Sequence, residues 1–390
     1  MKTLLTAARL LLPDGEIKNG ALLVNDGKIE RVGPQSEFTG CDCPVRDYGG
    51  HILSPGFFDL HVHGCMGQLC DESSDAVHHL SRYLITTGTT RFLATAMSEK
   101  GCANAKAAID AQKEKSAEGA EIAGIYMEGP FLSPRGLAGT DGGDSKLVAP
   151  TVEALEKILE TGGGHVKLMG LGVEREGAAE VIQALKQRGI VASLAHSNAG
   201  YDDALAAIEQ GISHTTHLYN LMTGLHHRRP GAVGAVLRSD TLTTELICDG
   251  VHLHPAAIEV ALRCVGADRA AMITDMTLGG LPDGDYSNAE FTIEVRDSVA
   301  RFSGVDPAAD HAIAGSTRPM LAGIRTVLGL GRPLYEAVRM ASLTPARIAG
   351  LDNNIGSLQA GKDADVTVFS EDLQVVMTML RGEIKFEAGL

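Results

Sequence analysis

The fold is decided by residues 55–64, which read Pro55-Gly56-Phe57-Phe58-Asp59-Leu60-His61-Val62-His63-Gly64. An apolar run carries two histidines two residues apart and then ends at a glycine. Because residues i and i+2 of a strand point to the same face, His61 and His63 can present two imidazoles to one point. A buried strand that ends in this way suits a divalent metal. A lone His-x-His pair is equally consistent with one packed and one surface histidine, so the rest of the chain has to decide.

The composition is that of a globular protein of 390 residues, 44% of them hydrophobic, with a formal net charge of −15. So acidic a chain argues against a nucleic-acid-binding protein, which needs a basic field. An anionic substrate would have to meet a local cluster of positive groups. Seven scattered cysteines, an odd number, favour a reducing compartment and therefore the cytoplasm. No segment reaches the ~18 uninterrupted apolar residues of a membrane helix, so we expect no membrane association.

From residue 54 onward, strand and helix patterns alternate along the chain. After the His-x-His strand, apolar strand candidates occur at residues 91–95, 122–127, 166–171, 190–195, 215–218, 244–248 and 271–274. Helical patterns separate most of them, which makes eight βα units. This count predicts an α/β fold, a TIM (β/α)8 barrel, over a doubly wound sheet. No GxGxxG follows a strand, so a dinucleotide-binding fold lacks its marker.

Both ends of the chain are predicted to form β-structure outside the barrel. Residues 1–53 alternate short apolar runs with turn signals such as Asn25-Asp26-Gly27, and the C-terminal residues return to strand alternation. We therefore expect a small β-sandwich domain built from residues 1–53 and 351–390, beside a barrel over residues 54–350. A turn at residues 282–285 predicts a β insertion near residues 276–314.

Polar side chains stand where five of the predicted barrel strands end. The six residues are His61, His63, Glu128, His196, His217 and Asp275. Chemistry in a TIM barrel sits at the carboxyl ends of the strands, so we expect these side chains to meet there. Any one of them alone could be a packed histidine or a helix-capping carboxylate. The set as a whole favours a metal site.

The residue types in this set indicate hydrolysis. Neutral imidazoles with a carboxylate suit zinc, and also iron, cobalt or manganese, and Glu128 is placed to bridge two ions. Asp275 would be the general base and acid, since a carboxylate close to a metal-activated water can take its proton and later give it to a leaving amine. The sequence therefore predicts a metal-dependent hydrolase with one or two divalent ions, zinc foremost.

The motifs around these residues resemble the amidohydrolase superfamily. They are His61-Val62-His63-Gly64, Glu128-Gly129-Pro130-Phe131, Ala195-His196-Ser197-Asn198-Ala199, Thr216-His217-Leu218-Tyr219-Asn220, Asp249-Gly250-Val251-His252 and Thr274-Asp275. More closely, the chain is similar nearly end to end to N-acetylglucosamine-6-phosphate deacetylases and their N-acetylgalactosamine-6-phosphate relatives. The motifs that contain Glu128, His196 and His217 are specific as a set, whereas His-x-His is shared by many amidohydrolases.

The resemblance implies a reaction, a set of roles and a homodimer. The reaction is the conversion of N-acetylglucosamine 6-phosphate and water to glucosamine 6-phosphate and acetate. Glu128, His196 and His217 match one metal position, and His61 and His63 match a second one that some members lack. Asp275 matches the catalytic residue. Substrate contacts are implied at Asn220, Leu221, Arg228, His252, Ile313, Ala314 and Gly315. The resemblance also implies that His252 can reach in from a dimer partner.

The residues themselves add one argument and leave alternatives open. The loop at residues 225–230 puts positive groups just past the sixth strand, and arginine suits bidentate phosphate binding; the alternative is a solvated basic turn. Family members commonly carry a histidine in the loop after the glutamate motif, whereas this chain has none between Arg135 and Asp141. Either Thr140, Asp141 or another group substitutes, or the substrate differs. The galacto epimer, another amide, or a non-enzymatic sugar-phosphate binder are the alternatives.

Overall fold

Eight parallel strands form one sheet in their order along the chain. The computed structural model describes residues 2–115, 118–134, 147–287, 292–303 and 313–389. We number the strands one to eight: Phe57–Val62, Thr89–Ala96, Glu121–Met127, Val166–Leu171, Val191–Leu194, His214–Thr215, Thr243–Ile247 and Ala270–Ile273. Each strand pairs with the next in parallel register.

Strand one and the residues just after strand eight close this sheet into a barrel. The backbone N–H of Asp275 donates to the carbonyl of His61 at 2.9 Å, and the N–H of His63 donates to the carbonyl of Met276 at 2.9 Å. Val62 and Met276 form a parallel bridge between the same segments. The predicted TIM barrel is therefore confirmed. The hydrogen bonds that close the barrel are made by the backbone of His61, His63 and Asp275, which are themselves residues of the predicted site.

Helices connect the strands and follow the last one. Between successive strands they are Ser74–Thr86, Glu99–Lys115, Val152–Gly162, Ala178–Gln187, Tyr201–Gln210, Gly231–Arg238 and Pro255–Val265; after strand eight they are Met320–Gly329, Leu334–Met340 and Leu343–Ile348. The first helix shows why these segments are helical. The side chain of Ser73, its N-cap, accepts a hydrogen bond from the backbone N–H of Ala76. Val77, Leu80 and Leu84 then recur on one buried face at helical spacing.

One helix that the sequence did not reveal and one strand boundary differ from the sequence prediction, each for a physical reason. The helix Gly231–Arg238 is buried over Gly231 to Val236 and so has no polar face whose periodicity the sequence could reveal. Strand six was predicted at residues 215–218 but covers only His214–Thr215. His217 has φ 24°, in the left-handed region, so the chain leaves the extended conformation before the predicted end.

Apolar side chains fill the barrel interior beneath the polar residues. One cluster unites Phe58, Tyr126 and Ile247 from three different strands with Ala346 and Ile355 from the segment after the barrel. A larger cluster lies between the strands and the surrounding helices. The interior is thus packed at one end, and the polar side chains occupy the other end, where the strands finish.

A second sheet is built from both ends of the chain, as predicted. Its main path is Glu383–Glu387, Val375–Leu380, Val366–Phe369, Ile52–Pro55, Lys2–Leu12, Gly15–Asn25 and Lys28–Pro34, while Val45–Asp47 pairs with Lys2–Leu12. A short 3-10 helix covers Gln35–Phe38. Leu53 joins the two ends, since it pairs with Leu10 on one side and Val368 on the other. The predicted domain limits, 1–53 and 351–390, stay a prediction.

A buried arginine ties the barrel to this second sheet. Arg91 of strand two donates to Asp365 at 2.6 Å, to Glu121 at 2.7 Å and to Asp363 at 2.7 Å. Arg381, in the turn between two strands of the second sheet, contacts Glu121 as well, at 2.8 Å. Such a fully paired guanidinium satisfies its planar donors and the carboxylates together. It lies at the end of the barrel opposite to the polar cluster.

The segment after strand eight leaves the barrel. It forms a three-stranded antiparallel sheet of Gly284–Ser287, Thr292–Arg296 and Val299–Ser303. The chain returns through a bridge between Arg301 and Ile313. A second small hairpin, Gly64–Cys65 with Gln68–Leu69, follows strand one. None of the described helices has the length and apolar character needed to cross a membrane.

Candidate functional site

The predicted polar residues lie where the barrel strands end, and three of them have a strained backbone. His196, His217 and Asp275 have φ values of 41°, 24° and 49°. A non-glycine residue in the left-handed region costs about 1–2 kcal/mol. Such conformations persist where surrounding structure fixes them, and they cluster at functional sites. The strain is therefore consistent with side chains held in place for chemistry.

Three of the residues form one buried group around a carboxylate oxygen. Oε1 of Glu128 lies 2.8 Å from Nε2 of His196 and 3.0 Å from Nε2 of His217. The two histidine Nε2 atoms are 3.1 Å apart. All three residues are buried. The side chains come from the ends of strands three, five and six, so the barrel alone brings them together.

A second group forms around the other oxygen of the same carboxylate. Oε2 of Glu128 lies 3.1 Å from Nε2 of His63 and 3.5 Å from Nε2 of His61. The Nε2 atoms of His61 and His63 are 3.1 Å apart, as the i, i+2 spacing predicts. Glu128 thus faces two histidine pairs, one with each oxygen. Each oxygen of this carboxylate therefore lies within one group of residues that could hold a metal ion.

Asp275 lies at the second group. Its Oδ1 atom is 3.3 Å from Nε2 of His63 and 3.5 Å from Nε2 of His61. Burial alone would raise the pKa of Asp275, but the imidazoles of His61 and His63 outweigh it and lower the pKa. The carboxylate is therefore ionised at neutral pH and able to accept a proton.

The donor atoms fit a divalent cation in both groups. At the usual bond lengths of about 2.0–2.1 Å, tetrahedral ligand atoms lie about 3.3 Å from one another. The distances within the first group are 2.8, 3.0 and 3.1 Å, and those within the second are 3.1, 3.1 and 3.5 Å. The spacing within each group is therefore close to that of ligand atoms around one ion. Imidazole and carboxylate ligands suit zinc and its neighbours.

Glu245 is a residue of the site that the sequence analysis missed. It lies within strand seven and is completely buried. Its Oε2 accepts from Nδ1 of His61 at 2.9 Å and from the backbone N–H of His217 at 3.0 Å. Burial alone would raise its pKa, but His61 and His214 lower it to about 2. The signal was available, because a carboxylate inside an apolar strand requires a partner.

Asp59 is a second carboxylate that was missed, and it contacts Thr274, the residue before Asp275. It accepts from the hydroxyl of Thr274 at 2.5 Å and from the N–H groups of Thr274 and His61 at 3.3 Å each. Burial raises the pKa of Asp59 to about 7, against the opposing effect of these hydrogen bonds. Asp59 therefore links the backbone of strand one to the residue that precedes Asp275.

Glu174 joins the loops after strands three and five. Its carboxylate accepts from the hydroxyls of Ser133 and Ser197 and from the N–H of Asn198, each at 2.6 Å. The N–H of Ser133 also donates to the carbonyl of His196 at 3.0 Å. The segments that carry Glu128 and His196 are thus fixed to each other, beyond the side-chain contact itself.

Two predicted substrate residues follow His217 directly. The backbone N–H and the side-chain amide of Asn220 donate to the carbonyl of His217 at 2.9 and 3.2 Å. Leu221 is exposed, and its carbonyl accepts from the N–H of Ser197 at 3.1 Å. Both residues therefore lie beside the first histidine pair. Their roles toward a substrate stay a prediction.

The predicted residues His252, Ile313, Ala314 and Gly315 lie on the Asp275 side. Asp249 accepts from Nδ1 of His252 at 2.9 Å and from the hydroxyl of Ser316 at 3.1 Å. The N–H of Ser316 donates to the carbonyl of Asp275 at 3.0 Å. Gly315 has φ 73°, and a Cβ there would lie 3.0 Å from the carbonyl oxygen of Asp275. Asp249 therefore connects His252 to the loop that contains Gly315 and Ser316.

Arg228 is the predicted residue that the described contacts do not bring to the cluster. It is exposed, and its guanidinium lies 2.6 Å from Nε2 of His227. Among the contacts of the described ranges, none joins Arg228 to the metal or catalytic residues. The predicted substitution of a family histidine by Thr140 or Asp141 falls on residues 135–146, outside the described part of the chain.

A comparison with known families agrees with this geometry. The model of the amidohydrolase family matches residues 52–385, which include every strand of the barrel. The chain belongs to the amidohydrolase family. The resemblance inferred from the motifs is therefore confirmed, and with it an enzyme that hydrolyses amide bonds. Divalent-metal dependence is general in this family, which agrees with the two groups of ligands around Glu128.

Relatives of this amidohydrolase match over nearly the whole chain. The N-acetylglucosamine-6-phosphate deacetylase of Bacillus subtilis (strain 168) is 36% identical over 381 residues, 95% of this chain and 93% of the relative. The N-acetylgalactosamine-6-phosphate deacetylase of Escherichia coli O157:H7 is 32% identical over 390 residues, 98% of this chain and 99% of the relative. The crystal structure of N-acetylglucosamine-6-phosphate deacetylase from Pasteurella multocida is 29% identical with a TM-score of 0.89, covering 98% of this chain and 99% of that one.

Proposed function

We propose that this amidohydrolase removes the acetyl group from N-acetylglucosamine 6-phosphate, which gives glucosamine 6-phosphate and acetate. The proposal is supported by relatives of that name that align over almost the entire chain. The single observation that carries it is the position of Asp275, 3.3 Å from His63, beside a carboxylate that faces two histidine pairs. This arrangement places a proton acceptor next to candidate metal ligands.

We propose that the metal is zinc and that one or two ions are held. Glu128, His196 and His217 would hold one ion, and His61, His63 and the other oxygen of Glu128 would hold a second. Such an ion, when bound, would supply Lewis acidity that polarises the amide carbonyl and lowers the pKa of water. The donor set supports zinc but also suits iron, cobalt or manganese.

Asp275 would move the proton in both halves of the reaction. Its ionised carboxylate takes a proton from the attacking water while the water oxygen forms a bond to the acetyl carbon. The protonated carboxyl then donates to the nitrogen as the C–N bond breaks. The amine leaves with that proton, and the acetyl group leaves as acetic acid. The remaining proton of the water then passes from acetic acid to the amine or to solvent, which gives acetate.

The substrate would be held on both sides of Asp275. We propose contacts from Asn220 and Leu221 on one side and from Ile313, Ala314 and Gly315 on the other. His252 and Arg228 would bind the phosphate, with the cationic loop at residues 225–230 supplying charge on an acidic protein. The resemblance also leads us to propose a homodimer, in which His252 belongs to the site of the partner. Static light scattering of the purified protein tests that state.

A cytoplasmic location is proposed on the number and spacing of the cysteines. The chain has seven of them, an odd number, scattered along the sequence. Such a set is typical of a reducing compartment rather than of a disulfide framework. Fractionation of the source cells would test this, since recovery in the periplasmic or secreted fraction would contradict it.

One assay separates the proposed substrate from its alternatives. Acetate release would be measured with N-acetylglucosamine 6-phosphate, its galacto epimer, and unphosphorylated N-acetylglucosamine. We expect the gluco phosphate to give the highest kcat/KM. The relative from Escherichia coli O157:H7 favours the galacto epimer as the second candidate. Equal turnover of the unphosphorylated sugar would contradict a phosphate-binding role for Arg228 and His252.

A further inference from the structure

Glu245 has an unusual position for a carboxylate. It stands in the middle of strand seven with no exposed surface, and three groups contact its two side-chain oxygens. Oε2 accepts from the His61 ring and from the His217 backbone, while Oε1 lies 3.2 Å from Nε2 of His214. The proposed reaction gives Glu245 no proton to transfer. A buried carboxylate without a role in the chemistry needs another explanation.

We propose that Glu245 is a positioning residue that fixes His61 and His217 at once, so that one carboxylate sets the geometry of both metal positions. The inference rests on the proposed metal-dependent function. It adds a second connection between the two groups, since Glu128 contacts the Nε2 atoms of both groups while Glu245 contacts His61 and the backbone of His217 from the other side. Glu245 contacts Nδ1 of His61 and the backbone of His217, not the Nε2 atoms that face Glu128.

The contact with His61 determines which ring nitrogen is available. An ionised carboxylate only accepts hydrogen bonds, so Nδ1 of His61 must carry the proton that it donates to Glu245. Nε2 then presents its lone pair toward His63 and Glu128. A carboxylate behind a ligating imidazole fixes the tautomer, orients the ring and increases the basicity of the ligand.

The contact with His217 acts through the backbone. Nδ1 of His217 has no hydrogen-bond partner among the described residues, so no side chain behind the ring orients it. Its backbone instead has φ 24° and donates to Oε2 of Glu245 at 3.0 Å. The next N–H, that of Leu218, donates to the carbonyl of Glu245 at 3.0 Å. Glu245 therefore holds the segment that places the His217 ring.

His214 supports the carboxylate from the other end of the barrel interior. It is completely buried, and its Nδ1 lies 2.7 Å from the hydroxyl of Thr243 while Nε2 faces Oε1 of Glu245. Both oxygens of Glu245 are thus occupied, and its rotamer is fixed by contacts from strands one and six. This agrees with positioning, which requires a side chain that does not move.

The test compares metal binding of the wild type with that of Glu245→Gln. The purified chains would be stripped of metal and titrated with Co²⁺, and the visible spectrum of the bound ion would report ligand geometry. The variant keeps the size of the side chain but removes its charge, so we expect Co²⁺ affinity to fall about 10–100-fold and the spectrum to change. We expect Co²⁺ affinity to fall at both metal positions, because His61 belongs to one group of ligands and His217 to the other.

The matched control is Glu121→Gln. Glu121 is also a largely buried carboxylate in a barrel strand, but its partners are Arg91 and Arg381 at the opposite end of the barrel. We expect this variant to lose stability yet keep the Co²⁺ affinity and spectrum of the wild type. If Glu245→Gln does not fold, His214→Ala replaces it, since this change removes the support of Oε1 without touching a ligand; a smaller loss of affinity is then expected.

The outcomes also separate this inference from the proposed reaction. Wild-type affinity and spectrum in Glu245→Gln would overturn the inference, as would a wild type that binds no Co²⁺. A change equal to that of Glu121→Gln would overturn it too, since the effect would then be general destabilisation. If the wild type binds Co²⁺ but releases no acetate from N-acetylglucosamine 6-phosphate, the substrate proposal fails while the role of Glu245 is still decided by the titration.

Discussion

The Oδ1 atom of Asp275 lies 3.3 Å from the Nε2 atom of His63. The carboxylate proposed to accept a proton and the candidate metal ligand His63 thus lie side by side at the carboxyl ends of the barrel strands. The backbone keeps them together, because the N–H of Asp275 donates to the carbonyl of His61 across the barrel seam. The seam that closes the fold therefore also sets the distance on which the proposed proton transfer depends.

Replacing Asp275 with Asn should abolish most turnover and leave metal binding in place. The amide cannot accept the proton of the attacking water, and general base catalysis typically contributes about 10²–10⁴-fold. We expect kcat for acetate release to fall within that range, while metal content measured by elemental analysis stays at the wild-type value. Full activity of Asp275→Asn would show that another group moves the proton.

Replacing Glu128 with Ala should empty both metal positions, whereas His63→Ala should affect only one. The reason is that Glu128 offers one oxygen to each histidine pair, 2.8 Å from His196 and 3.1 Å from His63. Metal stoichiometry after dialysis against limiting Zn²⁺ checks this. Equal losses in the two variants would contradict the bridging arrangement.

Replacing Arg91 with Ala should destabilise the fold strongly. The change leaves Glu121, Asp363 and Asp365 with fewer cationic partners in a buried place, which typically costs about 3–5 kcal/mol. Arg46→Ala is the control, because its pair with Glu387 is solvent-exposed and worth about 0–1 kcal/mol. Urea denaturation followed by circular dichroism compares the two, and a similar unfolding free energy for both variants would argue against Arg91 as a structural link.

Replacing Asp249 with Asn should weaken substrate binding more than it slows the chemical step. Asp249 holds Nδ1 of His252 and the hydroxyl of Ser316, and neither residue is proposed to move a proton. Losing one hydrogen bond of about 1 kcal/mol would raise KM about fivefold. Steady-state kinetics separate KM from kcat; a large fall in kcat at unchanged KM would instead place Asp249 in the chemical step.

The barrel and the six polar residues were predictable because each signal is local. His61 and His63 follow from strand periodicity, and Glu128, His196, His217 and Asp275 each come directly after an apolar run. The rule that strand ends meet at one face then assembles them without knowledge of any long-range contact. The order of strands along the chain was enough, since neighbouring strands pair in sequence.

The residues that were missed act through contacts between strands. Glu245 reaches His61 across 184 positions of sequence, and this pairing depends on the register of the closed barrel. Asp59 likewise meets Thr274 only because strand one lies beside strand eight. The predicted end of strand six was too late in the sequence. The backbone turns into the left-handed region at His217, and no glycine in the sequence marks that turn. Periodicity locates side chains on faces, but it does not give the partners on the facing strand.

The most direct test of the central claim is acetate release from N-acetylglucosamine 6-phosphate before and after metal removal. The account predicts turnover by the purified enzyme, its loss after dialysis against a chelator, and its return when Zn²⁺ is added to the same sample. Turnover that survives complete removal of metal, or no acetate from the fully loaded enzyme, would contradict it.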